Sequence, residues 1–252
     1  DVCLPRAVDN PVRWVYTPNP DCYLLKSDSL IVRVDLSTAS ITYLDKEGGL
    51  LLQEDQNIPR ISEKRVTKQV IYDEHSKHIE KTADGDKEIK NVLRYDTIGH
   101  TWKYRINFKW QPLEALYGWG AHMEDYMNLR GKELYLCQHN LKAMVPVLNS
   151  TAGYGLLFDA GCAMMFKDNS EGSFVELEAA KQIDYYFMKG KTMDAVVANY
   201  RLLTGNSPMM PLYLFGYIQS KERYVSSDDL INTLKEYRQR QIPIDMIVQD
   251  WN

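Results

Sequence analysis

Near its end the chain runs through an apolar stretch, Ile244-Asp245-Met246-Ile247-Val248, and then reaches Gln249, Asp250 and Trp251. In barrels and open α/β sheets, ligands meet the loops beyond the carboxyl ends of the strands. A carboxylate and an indole straight after a buried strand therefore mark a prospective site. The structural alternative is a strand that merely surfaces there, and position alone does not separate the two. Other chemistry-bearing residues form weaker patterns. His75 and His78 make an H-x-x-H pair in a polar stretch without a third ligand or a helical setting, which reads as solvated surface. His122-Met123-Glu124-Asp125 reads as a loop near a site rather than as a metal or acid–base cluster. No Ser or Cys sits in a nucleophile elbow, and Gly118-Trp119-Gly120 lacks the spacing of a phosphate-binding loop. Cys3, Cys22, Cys137 and Cys162 form no C-x-x-C pair, so they outline no zinc or redox motif; free thiols and bridges both stay open. No metal or cofactor is expected.

The elements that must position these residues are of two kinds. Composition is that of an ordinary globular chain, 44% hydrophobic and 25% charged over 252 residues. The net charge of −4 argues against a nucleic-acid binder, and no apolar run approaches the roughly 20 residues of a membrane span. From about residue 20 to 187 the period is two. Trp102-Lys103-Tyr104-Arg105-Ile106-Asn107-Phe108-Lys109-Trp110 alternates throughout, which predicts a strand with all five apolar side chains facing inward. Turn signals at residues 46–49, 83–86, 152–155 and 168–172 separate such strands, as in an antiparallel sandwich.

Near residue 190 the period changes. Thr192 is placed to cap a helix with Val196, Val197, Tyr200 and Leu203 on one stripe, and Gly205 to end it. The run Pro211–Ile218 reads as a buried strand, and Ser226 with Asp229 opens a second helix carrying Leu230, Ile231, Leu234 and Tyr237. Strand, helix, strand is a βαβ unit whose strands lie parallel. Two strands and one helix close no core, so the expectation is a β-sandwich over residues 1–190 followed, over 191–252, by a linking helix and the truncated start of a larger α/β domain. The opening at Asp1, with no Met and no leader, suggests a mature or trimmed chain and leaves the compartment open, the periplasm or the exterior being favoured.

These segments together resemble glycoside hydrolase family 31. Leu203-Thr204-Gly205-Asn206-Ser207-Pro208-Met209-Met210-Pro211 and Gly216-Tyr217-Ile218-Gln219-Ser220-Lys221-Glu222-Arg223-Tyr224 look like the entry to its catalytic barrel. Residues 240–251 resemble its second barrel strand. Upstream, Tyr117-Gly118-Trp119-Gly120, Asn128-Leu129-Arg130-Gly131-Lys132 and Val145-Pro146-Val147-Leu148-Asn149-Ser150 match its N-terminal β-sandwich. The resemblance implies a galactose-mutarotase-like antiparallel sandwich followed by the first βαβ portion of a (β/α)8 barrel. It implies a retaining α-glycosidase acting on an oligosaccharide, with both catalytic aspartates on later barrel strands and none within residues 1–252. Asp250 would accept hydrogen bonds from sugar hydroxyls in the −1 subsite, Trp251 would wall the ring, and His139 and Asn140 would come from a sandwich loop that shapes the same pocket. Departures are His139 and Asn140 where an aspartate is common, Ala121 where Gln or Glu is frequent, Val147 for Phe and Tyr213 for Trp. The wording Ile247-Val248-Gln249-Asp250-Trp251 most resembles bacterial α-xylosidases acting on xyloglucan fragments. The alternatives are an α-glucosidase of the same family and a stand-alone carbohydrate-binding sandwich. A homo-oligomer would form through domains outside these residues.

Overall fold

The computed structural model describes residues 13–82 and 85–250. The chain divides into two compact units, residues 1–205 and 206–252. In the first, the strands in chain order are β1 (Trp14–Pro18), β2 (Cys22–Ser27), β3 (Leu30–Asp35), β4 (Ile41–Asp45), β5 (Leu50–Glu54) and β6 (Arg60–Tyr72). They continue as β7 (His78–Thr82), β8 (Gly85–Ile89), β9 (Val92–Lys109), β10 (Leu116–Ala121), β11 (Glu133–Leu136) and β12 (Ala143–Ser150). β13 (Tyr154–Phe158), β14 (Met164–Asn169), β15 (Gly172–Ala180) and β16 (Tyr185–Lys189) complete the set, and helix α1 (Met193–Thr204) comes next in the chain.

A large antiparallel sheet runs β1-β2-β3-β4-β5-β9-β15-β14-β11, with β6 on β9, and a four-stranded sheet runs β10-β12-β13-β16. One core joins them: Tyr43, Leu52, Ile106, Phe108, Phe166 and Val175 of the large sheet pack with Leu116, Trp119, Leu148, Tyr154, Leu156 and Phe158 of the small one. This is the expected sandwich, each sheet giving its apolar face to a shared interior. β13 is buried at every position, against the single-faced alternation of its neighbours. The cause is α1: Leu157, on the outer face of the small sheet, packs with Val147, Met188 and Val196.

The helix itself obeys its sequence. The Thr192 hydroxyl accepts from the Ala195 N–H at 3.2 Å, and Gly205 closes it at φ 91° with its N–H on the Arg201 carbonyl. Val196 is fully buried and Tyr200 and Leu203 pack beside it. Val197 is exposed, off the expected stripe, because the helix rests on the sheet through a narrow seam.

The β9 expectation needs correction at one end. Ile106, Phe108 and Trp110 are buried and Tyr104 is half-buried, but Trp102 is exposed. β15 pairs with β9 only between Trp102↔Ala180 and Asn107↔Phe174. Beyond that, β9 continues with β6 alone as a two-stranded ribbon from Thr101↔Arg65 to Val92↔Tyr72. Alternation reports the two faces of a strand, but not how far the opposite sheet extends over it.

Loop geometry between β10 and β11 is fixed by a partly buried ion pair. Arg130 Nε lies 2.8 Å from Asp168 Oδ2, the Gly131 N–H donates to the same oxygen at 2.7 Å, and Ser173 Oγ donates to Oδ1. Burial alone would raise the Asp168 pKa. The bonds from Ser173, Gly131 and Arg130 outweigh that and hold it below the usual carboxylate range. A depressed folded pKa contributes stability that is present above the unfolded value near 3.9 and lost as pH falls through the folded one. Asp168→Asn should therefore be less stable than the parent chain at pH 7, and the difference should close as pH drops below about 4. Urea unfolding at both pH values checks this; an equal deficit at both would mean that ionisation of Asp168 contributes nothing.

The second unit holds β17 (Ile218–Lys221), α2 (Ser227–Gln239) and β18 (Met246–Gln249). The strands pair in parallel from Ile218↔Met246 to Lys221↔Gln249, with α2 as the crossover, so the βαβ unit is present. Ser226 Oγ accepts from the Asp229 N–H at 3.2 Å, and Asp229 accepts in turn from Val225 N–H. Ile231 is exposed, off the apolar stripe expected for α2. The apolar run Pro211–Ile218 departs more widely. It forms a 3-10 turn over Leu212–Phe215, where Leu212 and Phe215 are largely exposed, and the strand begins only at Ile218. Pro211 cannot donate to a ladder, and at Gly216 a Cβ would fall 2.0 Å from the Asp245 carboxylate. That carboxylate accepts from the Tyr217 N–H at 3.1 Å and sets where pairing starts. Among the described residues no helix is long and apolar enough to cross a membrane.

Candidate functional site

Two regions carry the residues singled out from the sequence, one in each unit. In the second, β18 delivers Gln249 and then Asp250 beyond the carboxyl end of a parallel pair. Gln249 acts structurally. Its side-chain oxygen accepts from the Tyr224 N–H at 3.4 Å and its amide nitrogen approaches the Tyr224 carbonyl at 3.5 Å, tying down the segment after β17. Tyr224 is buried and carries Lys221 Nζ 5.1 Å from its ring centre. Asp250 is exposed and makes no hydrogen bond or ion pair with the described residues. Trp251 lies outside the described residues. A solvated carboxylate at this position can accept from hydroxyl or amine donors without first breaking an internal pair.

In the first unit the site grows from Gly118-Trp119-Gly120. A bulge separates Gly118 from Gly120 in the β10–β12 register, and Trp119 between them has φ 62°. The backbone turns the indole into the core against Phe158 and Phe166, at 5.8 and 6.0 Å between ring centres. Only glycine fits beside it: a Cβ on Gly120 would meet the Ala143 carbonyl at 1.9 Å. The bulge re-aims the chain beyond it, so the loop over residues 121–127 leaves the sheet beside the loop over 137–142.

His139 and Asn140 sit at the exposed tip of the second loop. The Lys142 N–H returns to the His139 carbonyl at 3.1 Å, and Leu141 takes φ 70°. Gln138 braces the tip from below, accepting from Met144 N–H at 3.0 Å and donating to the Lys142 carbonyl. Lys142 Nζ then reaches Glu124 Oε1 at 3.1 Å and joins the two loops. That bond, working against burial, holds the Glu124 carboxyl below its ordinary range. The His122 side chain is buried, its Nε2 on the Trp119 carbonyl at 2.7 Å and its Nδ1 3.9 Å from Glu124 Oε2. The sequence pattern places residues 122–125 in a loop near a site. It does not reveal the burial of His122 or the link to Lys142, because the partner lies 18 residues downstream of Glu124 with no local signature. His75 and His78 are exposed, Cys22, Cys137 and Cys162 are free thiols among the described residues, and Cys3 lies outside them.

Comparison with known proteins adds four findings. The family model described as Glycosyl hydrolases family 31 TIM-barrel domain matches residues 207–252. An α-xylosidase of Saccharolobus solfataricus is 34% identical over 63% of this chain and 23% of its own length. An uncharacterized family 31 glucosidase of Pseudescherichia vulneris is 29% identical over 61% of this chain and 29% of its own. Among solved structures, a family 31 α-xylosidase from a soil metagenome, complexed with xylose, superposes with a TM-score of 0.70 over 98% of this chain and 35% of that one, at 22% identity. The chain thus spans between about a quarter and a third of the length of these proteins.

Proposed function

The chain belongs to glycoside hydrolase family 31, and from that premise we propose that it is the N-terminal part of a retaining α-glycosidase, an α-xylosidase acting on xyloglucan-type oligosaccharides. The observation that carries this reading is the parallel β17–β18 pair within residues 207–252, with the exposed Asp250 carboxylate beyond its carboxyl end. In this reading residues 1–190 are the sandwich and 191–252 the linking helix and the first portion of the (β/α)8 barrel. Asp250 accepts from two ring hydroxyls in the −1 subsite, Trp251 walls the ring, and His139 with Asn140 is the sandwich's contribution to the same subsite. The identity of 34% to an α-xylosidase against 29% to a glucosidase favours the pentose-releasing activity, and an α-glucosidase is the second reading.

Retaining hydrolysis needs two carboxyl groups about 5–5.5 Å apart, one as nucleophile and one as acid/base. In the family both stand on later barrel strands, so the 252-residue chain alone is expected to hydrolyse neither aryl α-xylosides nor aryl α-glucosides. Turnover by the purified chain would overturn that. The decisive assay compares kcat/KM for the two aryl glycosides in a protein that carries this chain together with a whole barrel. A preference for the xyloside supports the first reading and a preference for the glucoside the second. Activity on neither, with sugar binding retained, would instead favour a binding module.

A further inference from the structure

A half-open cavity of about 260 Å³ lies under the loop over residues 121–127, lined among others by Tyr117, His122, Glu124, Tyr126, Met127 and Leu129. Two polar atoms in its wall are buried and unmatched among the described residues: His122 Nδ1 and Glu124 Oε2, 3.9 Å apart. The His122 side chain is only 8% exposed. Its tautomer is set by its other nitrogen. Nε2 lies 2.7 Å from the Trp119 carbonyl, which can only accept, so Nε2 carries the hydrogen and in the neutral ring Nδ1 presents a lone pair. Glu124 already gives Oε1 to Lys142 Nζ, and its Oε2 is likewise an acceptor.

Two buried acceptors facing one gap call for two donors in it, since neither can satisfy the other and each costs free energy unpaired. At 3.9 Å the pair is also too far apart for a direct bond. The remaining wall is aromatic and aliphatic, suited to the C–H face of a ring. The volume falls below the roughly 300–1,000 Å³ of pockets for drug-sized ligands, which limits the occupant to a single small ring. We propose that this cavity is a sugar-binding site, in which adjacent hydroxyls of one pyranose donate to His122 Nδ1 and Glu124 Oε2 while the ring rests on Tyr117, Tyr126 and Met127. The site lies wholly within the sandwich unit and stands whether or not a protein carrying this chain releases xylose.

The test uses the 252-residue chain labelled with 15N and titrated with D-xylose, with tetrahydropyran as the ring that lacks hydroxyls. The expected result is a saturable displacement of the His122 Nδ1 resonance and of amides 118–127, with a Kd on the order of 1 mM, and no displacement by tetrahydropyran. Glu124→Gln provides the second arm. Lys142 keeps the amide oxygen, so the amide NH2 stands where Glu124 Oε2 stood and meets the sugar hydroxyl as a donor where that hydroxyl needs an acceptor. That variant should stay folded with a cooperative melt, and should weaken xylose binding more than tenfold. No displacement by about 100 mM xylose would overturn the proposal and leave water as the occupant. So would equal displacement by tetrahydropyran, or binding unchanged in Glu124→Gln.

Discussion

Replacing Asp250 by Asn in a protein that carries this chain with a whole barrel is expected to lower kcat/KM by about 10²-fold or more, or about 2.7 kcal/mol of transition-state stabilisation. The melting temperature should stay within about 1 °C, since surface substitutions away from packed or paired groups change stability little. The reason starts from the strand. β18 is held in register with β17, and Gln249 is spent on Tyr224, so the first side chain free to meet a ligand is Asp250. A carboxylate accepts two hydrogen bonds from neighbouring hydroxyls, and charge-assisted bonds of this kind are roughly twice as strong as neutral ones. As the ring flattens toward an oxocarbenium-like transition state those bonds strengthen, so their loss falls on kcat/KM rather than on folding. Asn keeps the shape but turns a donor toward one hydroxyl. A purely structural Asp250 would need partners, and it has none among the described residues. The competing outcome is therefore sharp: a variant that melts several degrees lower yet keeps near-normal kcat/KM would remove Asp250 from the subsite.

Legible in the sequence is whatever local chemistry decides. The Thr192 and Ser226 caps, the glycine that ends α1 and the parallel strand pair all stand where residue type and spacing put them, because each depends on neighbours within a few positions. The sandwich is legible through alternation, yet Trp102 lies outside the core, since its fate depends on where β15 stops. Pro211–Ile218 resembles a strand because apolar runs of that length fit either state. Proline at its head and the Asp245 carboxylate opposite Gly216 and Tyr217 decide it, and only the second of these is distant in sequence. The site shows the same division. Asp250 can be found from a strand end, whereas the pocket of His122 and Glu124 depends on a bulge at Trp119 and on Lys142, which no spacing rule connects.

The largest stability effect expected in the sandwich comes from Arg60→Met. Glu54, at the end of β5, is fully buried, and Arg60 Nη2 lies 2.7 Å from each of its oxygens. The Tyr185 hydroxyl donates to Oε1 at 2.8 Å and receives the Tyr43 hydroxyl at 3.0 Å, while the Ile41 N–H donates to Oε2 at 3.0 Å. Burial pushes the Tyr43 hydroxyl up to about 12, and burial together with the Tyr43 and Glu54 neighbours pushes Tyr185 up as well, so both stay protonated donors at any physiological pH. One carboxylate thus ties β4, β5 and β6 of the large sheet to β16 of the small one. Removing the guanidinium leaves that charge inside with only neutral donors, and breaking a buried pair this way costs about 3–5 kcal/mol. At roughly 2–4 °C per kcal/mol for a domain of this size, the Tm should fall by about 6–20 °C. Removing both partners should cost less than removing Arg60 alone, because an apolar replacement of matched shape carries no stranded charge. Arg60→Met combined with Glu54→Leu is therefore expected to melt above Arg60→Met. If the double variant melts lower than the single one, the carboxylate is held chiefly by Tyr185 and Ile41, and Arg60 is not the residue that keeps it in the core.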